Sequence, residues 1–451
     1  MGKLFGTDGV RGLANADLTP ELALTLGRAA VGVLRAGGAQ GAGRPLVVVG
    51  RDPRASGELL ESALVAGICS AGGDALLAGV VPTPAVAFLA RHYRAAAGVV
   101  ISASHNPMPD NGIKFFGPHG FKLPDAVEER IEGALAVADQ DAPRPTGRGV
   151  GRVRHAADAA DAYLAHLLQD LPDLGRLEVV VDCANGAASA VGPEAYRRAG
   201  ARVLAVGAEP DGENVNDGVG STHPERLQAE VTRAGAAVGL SHDGDADRLI
   251  AVDERGAVVD GDVLLAIAAL DERARGGLPT GTVVTTVMTN LGFRRAMAAH
   301  GIQVVQTAVG DRYVLEAMRA GGHTLGGEQS GHVIFLDRAT TGDGILTGLH
   351  LLSILARSGR PLSELATVMR RLPQVLVNIR VADRAGLAGA AAIWRAVAEE
   401  EARLGDRGRV LVRASGTEPL VRVMVEADTE DDAGAVAGRL AEVVAAQLGR
   451  A

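Results

Sequence analysis

The sequence predicts an α/β protein with three α/β domains, each built on a mostly parallel mixed sheet, and a small C-terminal α+β domain. Short apolar segments alternate with segments of helical periodicity, which is the pattern of parallel strands covered by helices on both faces. The 451 residues exceed what one hydrophobic core usually holds, and the length alone favours about three domains. The 47% of hydrophobic residues is enough to fill several such cores.

The alternation of strands and helices is clearest in the first quarter of the chain. Short apolar runs predict buried strands, and longer segments with helical spacing of apolar residues predict helices. The strands are expected at 46–49, 75–80 and 98–101, and the helices at 58–70 and 84–93. The order strand, helix, strand, helix, strand predicts a parallel sheet with a ligand site at the carboxyl ends of its strands.

The remaining elements follow from the same patterns. A connector rich in Pro, Gly and Arg is expected at 138–153. We predict helices at 156–171 and 429–447, and strands at 178–182, 236–241, 249–252, 257–259, 282–289 and 302–307. The turn Asp-Glu-Arg-Gly between two of these strands predicts a hairpin. With a further boundary at 369–373, the predicted domains are 1–153, 154–253, 254–370 and 371–451.

The segment that follows the strand at 98–101 carries the most functional information. It reads Ser-Ala-Ser-His-Asn-Pro and places Ser102, Ser104 and His105 at the carboxyl end of a strand. A serine in this position can act as a nucleophile on a ligand bound at the edge of the sheet. The same residues also form an ordinary turn. The segment alone therefore does not decide between a nucleophile and a structural loop.

A second polar cluster, Asp-Gly-Asp-Ala-Asp-Arg, follows another predicted strand. Its carboxylates, Asp243, Asp245 and Asp247, are hard oxygen ligands of the kind that Mg²⁺ prefers. A calcium-binding EF-hand loop is an alternative, because Glu254 falls at the twelfth position counted from Asp243. The sixth position is Arg248, however, where such a loop needs Gly. A solvated acidic turn is a further alternative, although clustered carboxylates repel one another in the absence of a cation.

Two more clusters complete a set of groups that phosphoryl transfer requires. Gly-Glu-Gln-Ser-Gly-His contains Glu328, Ser330 and His332, whose polar groups suit sugar hydroxyls. Two guanidinium groups and two hydroxyls on a Gly-containing loop suit an anion. The residues of this last cluster are Arg413, Ser415, Gly416, Thr417 and Arg422. A nucleophile, a metal site, a hydroxyl-binding loop and an anion site together predict phosphoryl transfer on a phosphorylated sugar.

The composition excludes several other classes of function. A formal charge of −9 argues against a nucleic-acid partner, and the 3% of aromatic residues are too few for base stacking or a membrane-interface belt. No run of about 18 apolar residues predicts a membrane span, and the first residues contain no apolar signal segment. We therefore expect a cytoplasmic protein without a membrane partner. Cys69 and Cys183 lie among apolar or small residues and are expected to be reduced, buried thiols.

The four clusters, in this order, resemble those of the α-D-phosphohexomutase family. The likeness extends to Phe-Gly-Thr-Asp-Gly-Val-Arg-Gly at 5–12 and to Asp-Asn-Gly-Ile-Lys-Phe-Phe at 110–116. Gly-Val-Gly-Ser-Thr-His at 218–223 resembles a further family segment, although the most similar members commonly have Cys where Val219 stands. The resemblance covers essentially the whole chain. It implies four domains around a central cleft, with one loop from each domain.

The resemblance also implies a role for each candidate residue. The phosphorylated serine of the family directly precedes His-Asn-Pro, which selects Ser104 as the phosphoserine and leaves Ser102 as a loop-shaping hydroxyl. One Mg²⁺ per chain is implied on Ser104, Asp243, Asp245 and Asp247. The implied catalytic residues are Ser104, His332, Arg11 and Lys114, with His332 as a general acid or base. The implied substrate-binding residues are Arg248, Glu328, Ser330, Arg413, Ser415, Gly416, Thr417 and Arg422.

The reaction implied by the resemblance is the isomerisation of glucosamine 6-phosphate to glucosamine 1-phosphate through glucosamine 1,6-bisphosphate. Such a product feeds the synthesis of UDP-N-acetylglucosamine and cell-wall precursors. A mutase for glucose or mannose phosphates, a metal-dependent sugar phosphatase and a non-catalytic phosphosugar-binding protein remain alternatives. The resemblance leaves open whether the chain forms a homodimer. It also leaves two interpretations of Asp311 and Arg312, as part of a loop facing the cleft or as an ordinary helix N-terminus.

Overall fold

The computed structural model describes residues 4–6, 8–36, 43–135, 144–171, 173–415 and 418–449. The chain forms two compact units. The first unit comprises Met1–Met288 and Ile302–Val368, and the second comprises Thr289–Gly301 and Met369–Ala451. Three sheets lie in the first unit and one sheet lies in the second.

The first sheet contains six strands and is flanked by helices. The strands are β1 Val10–Leu13, β2 Leu46–Arg51, β3 Asp74–Val80, β4 Ala97–Ile101, β5 Asp110–Phe116 and β6 Val153–His155. The helices are α1 Pro20–Ala36, α2 Ser56–Ser70, α3 Thr83–His92, α4 Asp125–Leu135 and α5 Ala159–Leu167. The strand order is β1-β5-β4-β2-β3-β6. Strands β2, β3 and β4 are parallel, as predicted, whereas β5 runs antiparallel to β4.

Side-chain alternation along β2 explains why its strand is an unbroken apolar run. Val47 and Val49 belong to one core, which also contains Leu26 and Leu64 of α1 and α2. Val48 lies in a second core, which also contains Leu89 of α3. Successive side chains of a strand point to opposite faces, so both faces of this sheet are covered by helices. The carboxyl ends of β2 and β4 are thereby held in fixed positions at one edge.

The second sheet carries the aspartate loop. Its strands are β7 Glu178–Asp182, β8 Arg202–Val206, β9 Val238–His242, β10 Leu249–Asp253 and β11 Val258–Val259, with the helices α6 Ala188–Arg198 and α7 Glu225–Ala234. The strand order is β11-β10-β9-β7-β8. Strands β10 and β11 form the hairpin predicted from Asp-Glu-Arg-Gly. Every residue of β9 and β10 is buried, so the loop that joins them is anchored at both ends.

The third sheet has the order β13-β12-β14-β15 and completes the first unit. Its strands are β12 Thr282–Thr286, β13 Gln303–Thr307, β14 Leu325–Gly327 and β15 Val333–Phe335. The helices are α8 Gly261–Arg275, α10 Asp311–Gly321, α11 Gly344–Ser358 and α12 Leu362–Leu365, while the intervening α9 Leu291–Ala299 belongs to the second unit. Helix α11 begins beside the aspartate loop, because the Gly344 N–H donates to Ala246 O at 3.0 Å. A Cβ at position 344 would lie 2.1 Å from Arg248 O, which explains the glycine.

The second unit is the predicted α+β domain together with α9. Its strands are β16 Gln374–Arg380, β17 Gly408–Ala414 and β18 Leu420–Ala427, in the antiparallel order β16-β18-β17, and its other helices are α13 Ala391–Leu404 and α14 Glu430–Leu448. Alternate residues of β18, including Val421 and Val423, pack in one core with Leu440 of α14. The buried carboxylate of Glu426 accepts hydrogen bonds from the guanidinium of Arg409.

The predicted fold class is confirmed, but some predicted elements differ from the structure. The prediction of a connector at 138–153 is wrong at its last residue, because Val153 begins β6, which pairs with β3. Residues 136–143 lie outside the described residues. Strand β6 is fully exposed and has no apolar alternation, so no periodicity could reveal it. The helix expected at 156–171 is limited to Ala159–Leu167, and α1 was not predicted.

Other expectations from the sequence have simpler outcomes. The strand expected at 282–289 ends at Thr286, and the helix expected at 429–447 corresponds to α14. Cys69 and Cys183 are free thiols, with Cys183 buried and Cys69 partly exposed. None of the described helices is long and apolar enough to cross a bilayer. The four domain boundaries stay predictions.

Candidate active site

Ser104 lies in the loop that follows β4, at the carboxyl end of the parallel strands. Its backbone has a φ of 54°, in the left-handed region that residues other than glycine rarely occupy. The side chain is almost fully buried, and its hydroxyl donates a 2.6 Å hydrogen bond to Asp243 Oδ2. Backbone strain of this kind persists only where surrounding contacts hold it, and it is concentrated at functional sites. The loop therefore directs the Ser104 hydroxyl at the aspartate cluster.

Ser102 has a different position in the same loop. Its hydroxyl donates to Asp52 Oδ2 at 2.6 Å and accepts the peptide N–H of Ser104 at 2.9 Å. Burial raises the pKa of Asp52, although the adjacent Arg54 guanidinium and the Ser102 hydroxyl oppose this shift. The Ser102 hydroxyl is thus engaged on both sides within the loop. This geometry favours Ser104 over Ser102 as the nucleophile.

The three aspartates form a buried cluster in the loop between β9 and β10. One carboxylate oxygen from each of Asp243, Asp245 and Asp247 lies within 4.8 Å of the others. Burial raises the pKa of Asp243 well above its usual range, and the carboxylates of Asp247 and Asp245 raise it further. Three buried carboxylates at this spacing cannot all be ionised without compensating positive charge. The cluster is therefore suited to a cation.

Two oxygens of the cluster indicate which cation fits. Asp245 Oδ1 and Asp247 Oδ1 are buried and accept no hydrogen bond from the residues that the structure describes. Buried polar atoms are nearly always hydrogen-bonded, so these two oxygens are suited to a ligand. Closely spaced carboxylate oxygens are typical ligands of Mg²⁺. The EF-hand alternative does not fit, because a strand, β10, follows the loop directly.

A buried lysine and a partly buried arginine supply part of the compensating charge. Lys114 Nζ lies 3.0 Å from Asp245 Oδ2 and 2.9 Å from Asp8 Oδ2. Burial disfavours the charged amine, but these two carboxylates raise the pKa of Lys114 above its ordinary value. This pairing with Asp8 and Asp245 favours the charged ammonium of Lys114. Arg248 Nε lies 3.7 Å from Asp247 Oδ1, and this Nε has no hydrogen-bond partner within the described chain.

Asp8 links several cations to the serine loop. Its carboxylate pairs with the Arg11 guanidinium, with Lys114 Nζ and with Lys122 Nζ, the last at 2.5 Å. Burial alone would raise the pKa of Asp8, but these cations hold it well below its usual range. Arg11 also reaches the serine loop, with Nη1 3.5 Å from Asn106 Oδ1. Asp8 thus orients two of the predicted catalytic cations.

Asp311 fits both interpretations that the sequence left open. It is the first residue of α10, and its carboxylate also points towards the other charged groups of the site. Asp311 Oδ2 lies 2.6 Å from Lys122 Nζ and 3.5 Å from His332 Nε2. Arg312 is directed elsewhere and pairs with Glu128 at 2.9 Å. The carboxylate of Asp311, and not the guanidinium of Arg312, therefore belongs to the site.

His332 has a polar neighbour at each ring nitrogen. Nδ1 lies 3.5 Å from Asp247 Oδ2, and Nε2 accepts the peptide N–H of Gly342 at 3.0 Å. Burial disfavours the charged ring, but Asp247 and further carboxylates raise the pKa of His332 to about 9. The bond from Gly342 favours the opposite state, because an imidazolium has no lone pair to accept it. We assign the neutral ring, since a cation on the aspartates would offset the charge of Asp247.

Glu328 and Ser330 lie in the tight loop between β14 and β15, which also leads to His332. Glu328 Oε1 accepts the N–H of Gly310 at 3.2 Å, whereas the buried Ser330 hydroxyl has no partner among the described residues. Gly331 has a φ of 91°, and a Cβ there would lie 2.0 Å from the carbonyl oxygen of β10 that it faces. The loop therefore packs directly on the strand that leaves the aspartate cluster. Its carboxylate and hydroxyl have bonding capacity left for a ligand's hydroxyl groups.

The predicted anion-binding cluster lies in the second unit. Arg413 on β17 stands directly opposite Arg422 on β18. Like charges in this register destabilise a pair of strands, and burial together with Arg422 lowers the pKa of Arg413. Glu418 offsets one of the two charges, since it pairs with Arg422 at 3.1 Å. The arrangement favours an anion between the guanidinium groups. Of the other predicted residues, Ser415 is buried, while Gly416 and Thr417 lie outside the described residues.

Several buried or partly buried polar residues that support the site were not singled out from the sequence. They are Asp8, Asp52, Arg54, Thr83, Lys122 and Asn216. Asp52 and Arg54 follow β2, so the strand-end rule that identified the serine loop could have found them. Thr83, at the start of α3, donates a 2.6 Å hydrogen bond to Asp245 Oδ2. Asn216 lies in an irregular loop, two residues before the segment at 218–223, and no sequence signal indicates its contact with Ser104 O.

Sequence models of one family match four successive segments of the chain. The phosphoglucomutase/phosphomannomutase α/β/α domains I, II and III match residues 2–142, 161–256 and 260–372, and the C-terminal domain matches 376–443. The phosphoglucosamine mutase of Saccharopolyspora erythraea is 60% identical to this chain over 447 residues, which cover 99% of this chain and 100% of that protein. The phosphoglucosamine mutase of Streptomyces avermitilis is 59% identical, with 100% of both chains covered.

Solved structures with a similar fold cover nearly the whole chain. A phosphoglucomutase/phosphomannomutase family protein from Burkholderia thailandensis has a TM-score of 0.83 at 26% identity, covering 99% of this chain and 97% of that chain. The N-acetylphosphoglucosamine mutase of Aspergillus fumigatus, in complex with GlcNAc-6P and magnesium, has a TM-score of 0.65 at 19% identity. It covers 98% of this chain and 95% of that chain, and at this identity the likeness shows the fold alone.

We expect Ser104→Ala and Ser102→Ala to have different effects on covalent phosphate uptake. Ser104→Ala removes the hydroxyl that faces Asp243, so intact-mass spectrometry should find no bound phosphate after incubation with a sugar bisphosphate. Ser102→Ala keeps that hydroxyl and should still take up one phosphate, but more slowly. The slowing should be about tenfold, because about 1–3 kcal/mol is lost when a buried group such as Asp52 loses a partner. Phosphate on the Ser104→Ala protein and none on the Ser102→Ala protein would reverse the assignment.

Proposed function

This chain belongs to the phosphoglucomutase/phosphomannomutase family, and we propose that it is a phosphoglucosamine mutase, which interconverts glucosamine 6-phosphate and glucosamine 1-phosphate. The observation that carries the proposal is the 2.6 Å hydrogen bond from the buried Ser104 hydroxyl to Asp243 within the aspartate cluster. The relatives at 59–60% identity support glucosamine as the sugar, because they are named phosphoglucosamine mutases.

In the proposed reaction, Ser104 carries a phosphoryl group between two positions of the sugar. The O1 hydroxyl of glucosamine 6-phosphate attacks the phosphorus of phosphoserine, and the O1–P bond forms as the bond from phosphorus to Oγ breaks. The resulting glucosamine 1,6-bisphosphate turns around in the site. Ser104 Oγ then attacks the phosphorus on O6, and glucosamine 1-phosphate leaves. Over the two halves, O1 of the sugar loses one proton and O6 gains one, while the serine oxygen ends as it began, so the cycle consumes neither phosphate nor protons.

Proton transfer and charge stabilisation are assigned to different side chains. Nε2 of the neutral His332 would give up its bond from the Gly342 N–H, accept the proton of the attacking sugar hydroxyl and return a proton in the second half. Asp311, 3.5 Å from Nε2, stabilises the imidazolium that forms. Lys114 keeps its charge throughout, because its pKa is raised by neighbouring carboxylates. We therefore assign Lys114, Arg11 and Arg248 to stabilise negative charge on the phosphoryl group during transfer.

The carboxylates of Asp243, Asp245 and Asp247, together with Ser104 Oγ, would hold one Mg²⁺. When bound, this cation would offset negative charge on the transferring group and on the serine oxygen. The chain's own contribution is to fix the carboxylates before a ligand arrives. Lys114 and Thr83 both bond to Oδ2 of Asp245, which leaves Oδ1 directed into the cluster without a partner among the described residues.

The remaining predicted residues would bind the substrate. Glu328 and Ser330 would bind the 3- and 4-hydroxyls, which present similar positions in the two orientations of the sugar. The opposed guanidinium groups of Arg413 and Arg422 support a role in binding the phosphate that is not reacting. Ser415, Gly416 and Thr417 would complete this phosphate site. Binding of both ends of the sugar is what the two orientations of the bisphosphate require.

The proposed function is tested by comparing three substrates under identical conditions. The protein is supplied with Mg²⁺ and a trace of sugar 1,6-bisphosphate, and formation of the 1-phosphate is measured from glucosamine, glucose and mannose 6-phosphates. We expect the highest kcat/KM for glucosamine 6-phosphate. A higher kcat/KM for glucose or mannose 6-phosphate would assign the chain to a different mutase. Inorganic phosphate as the main product would identify a phosphatase.

We expect Asp245→Asn to weaken Mg²⁺ binding and to lower activity sharply. The substitution preserves the size of the side chain but removes a negative charge from a hard-oxygen site, and it leaves the buried Lys114 ammonium with one carboxylate fewer. Titration calorimetry with Mg²⁺ and the Mg²⁺ dependence of kcat measure the two effects. The control is Asp337→Asn, since Asp337 is an exposed acid outside the site. Equal Mg²⁺ affinity in the wild type and Asp245→Asn would contradict the assignment.

We expect Arg413→Lys to lower kcat/KM for the 6-phosphate and the 1-phosphate by similar factors. Lys cannot reproduce the two-pronged contact of a guanidinium with a phosphate. Loss of one charge-assisted hydrogen bond at about 1.5–3 kcal/mol corresponds to about one to two decades in kcat/KM. Arg407→Lys, on the same unit, serves as the control because Arg407 is exposed. Unchanged kinetics of Arg413→Lys in both directions would remove this residue from the phosphate site.

A further inference from the structure

Arg54 is a fully buried arginine behind the serine loop, and all five of its guanidinium N–H groups have acceptors. Nε donates to Asp52 Oδ2 at 2.9 Å. Nη2 donates to the carbonyl oxygens of Ser104 and Asn106, at 3.0 and 2.8 Å. Nη1 donates to two further carbonyl oxygens of the same loop, those of residues 107 and 110. One side chain thus donates hydrogen bonds to four carbonyl groups of a single short loop.

Asn216 reaches two of these carbonyls from another loop. Its Nδ2 donates to Ser104 O at 2.9 Å and to Asn106 O at 3.0 Å. The carbonyl oxygen of Ser104 therefore accepts from both Arg54 and Asn216, while the hydroxyl of the same residue donates to Asp243. The peptide N–H of His105, in contrast, has no acceptor among the residues that the structure describes. Four carbonyl groups of the loop thus accept hydrogen bonds from side chains, whereas the N–H of His105 can still donate to a ligand.

We infer that Arg54 is a positioning residue for phosphoryl transfer, which acts by holding the serine loop with its carbonyl oxygens turned away from the phosphoryl group. This inference rests on the proposed function. Ser104 has a φ of 54° and cannot keep this conformation without strong contacts. A carbonyl oxygen that faced a phosphoryl dianion would repel it, whereas the N–H of His105 can donate to it. Arg54 binds the oxygens, keeps the hydroxyl on Asp243 and never touches the substrate.

Lysine cannot replace Arg54 in this role. An ammonium group has three N–H donors, whereas the guanidinium has five in a fixed planar fork. At least two of the five hydrogen bonds would be lost, and the loop would shift in response. Misplacement of a reacting group by about 1 Å can cost about 100-fold in rate. We therefore expect Arg54→Lys to fold, to bind glucosamine 6-phosphate with an unchanged KM and to lose about 100-fold in kcat.

The experiment measures kcat and KM of Arg54→Lys, Arg54→Ala and the control Arg51→Lys, with circular dichroism to confirm folding. Arg51 lies three positions away, but its side chain is directed to Glu58 and Glu61 of α2 and not to the serine loop. Guanidinium at a concentration far below its denaturing range should restore kcat of Arg54→Ala, while urea should not. A merely structural role would not give this selective rescue. If the wild type fails to turn over glucosamine 6-phosphate, the proposed function is wrong, and the serine loop has no such transfer to position.

Two results would overturn the inference in an active wild-type background. One is an Arg54→Lys protein with wild-type kcat, and the other is a folded Arg54→Ala protein whose kcat guanidinium does not restore. If neither Arg54 variant folds, Asn216→Ala decides the question, because it removes a donor from two of the same carbonyls. We expect this variant to lose about tenfold in kcat at constant KM, since about 1.4 kcal/mol corresponds to a factor of ten. An unchanged kcat of Asn216→Ala would overturn the inference.

Discussion

The burial of three carboxylates in one short loop is the constraint on which the site depends. Asp243, Asp245 and Asp247 lie within ligand distance of one another, and each would repel the others if all were ionised without cations. Neighbouring basic side chains compensate part of this negative charge. Lys114 pairs with one carboxylate and Arg248 approaches another. A divalent cation would complete the compensation, and the same positive charge is what a phosphoryl group needs as it leaves one oxygen for another.

The fold brings Ser104 to this cluster, because the two loops follow two buried strands. Strand β4 leads to Ser104 and strand β9 leads to Asp243, so both loops start from rigid positions. The loops are in direct contact, since a Cβ on Gly244 would lie 2.6 Å from Ser104 O. Arg54 and Asn216 also donate hydrogen bonds to carbonyl groups of the serine loop. Precision at the reacting oxygen therefore comes from buried hydrogen bonds to the backbone, and not from the catalytic side chains themselves.

The sequence predicted the parts of this arrangement that are local in the chain. Apolar runs located β2, β4 and β7, and strand ends located the serine and aspartate loops. Contacts between distant segments left no periodic signal. Asp8 meets Lys122, Arg54 meets Ser104 and Asn216 meets Ser104 only after folding. The exposed strand β6 was missed because its side chains carry no apolar alternation.

The most direct test of the account follows a labelled phosphate from the enzyme to the sugar. Protein carrying radioactive phosphate on Ser104 is mixed with unlabelled glucosamine 6-phosphate in a single turnover with Mg²⁺, and the products are separated. The account predicts that the label appears first in glucosamine 1,6-bisphosphate and then in glucosamine monophosphates, with little inorganic phosphate. Release of the label mainly as inorganic phosphate, or its retention on the protein while product forms, would contradict the central claim that Ser104 exchanges its phosphoryl group with the sugar.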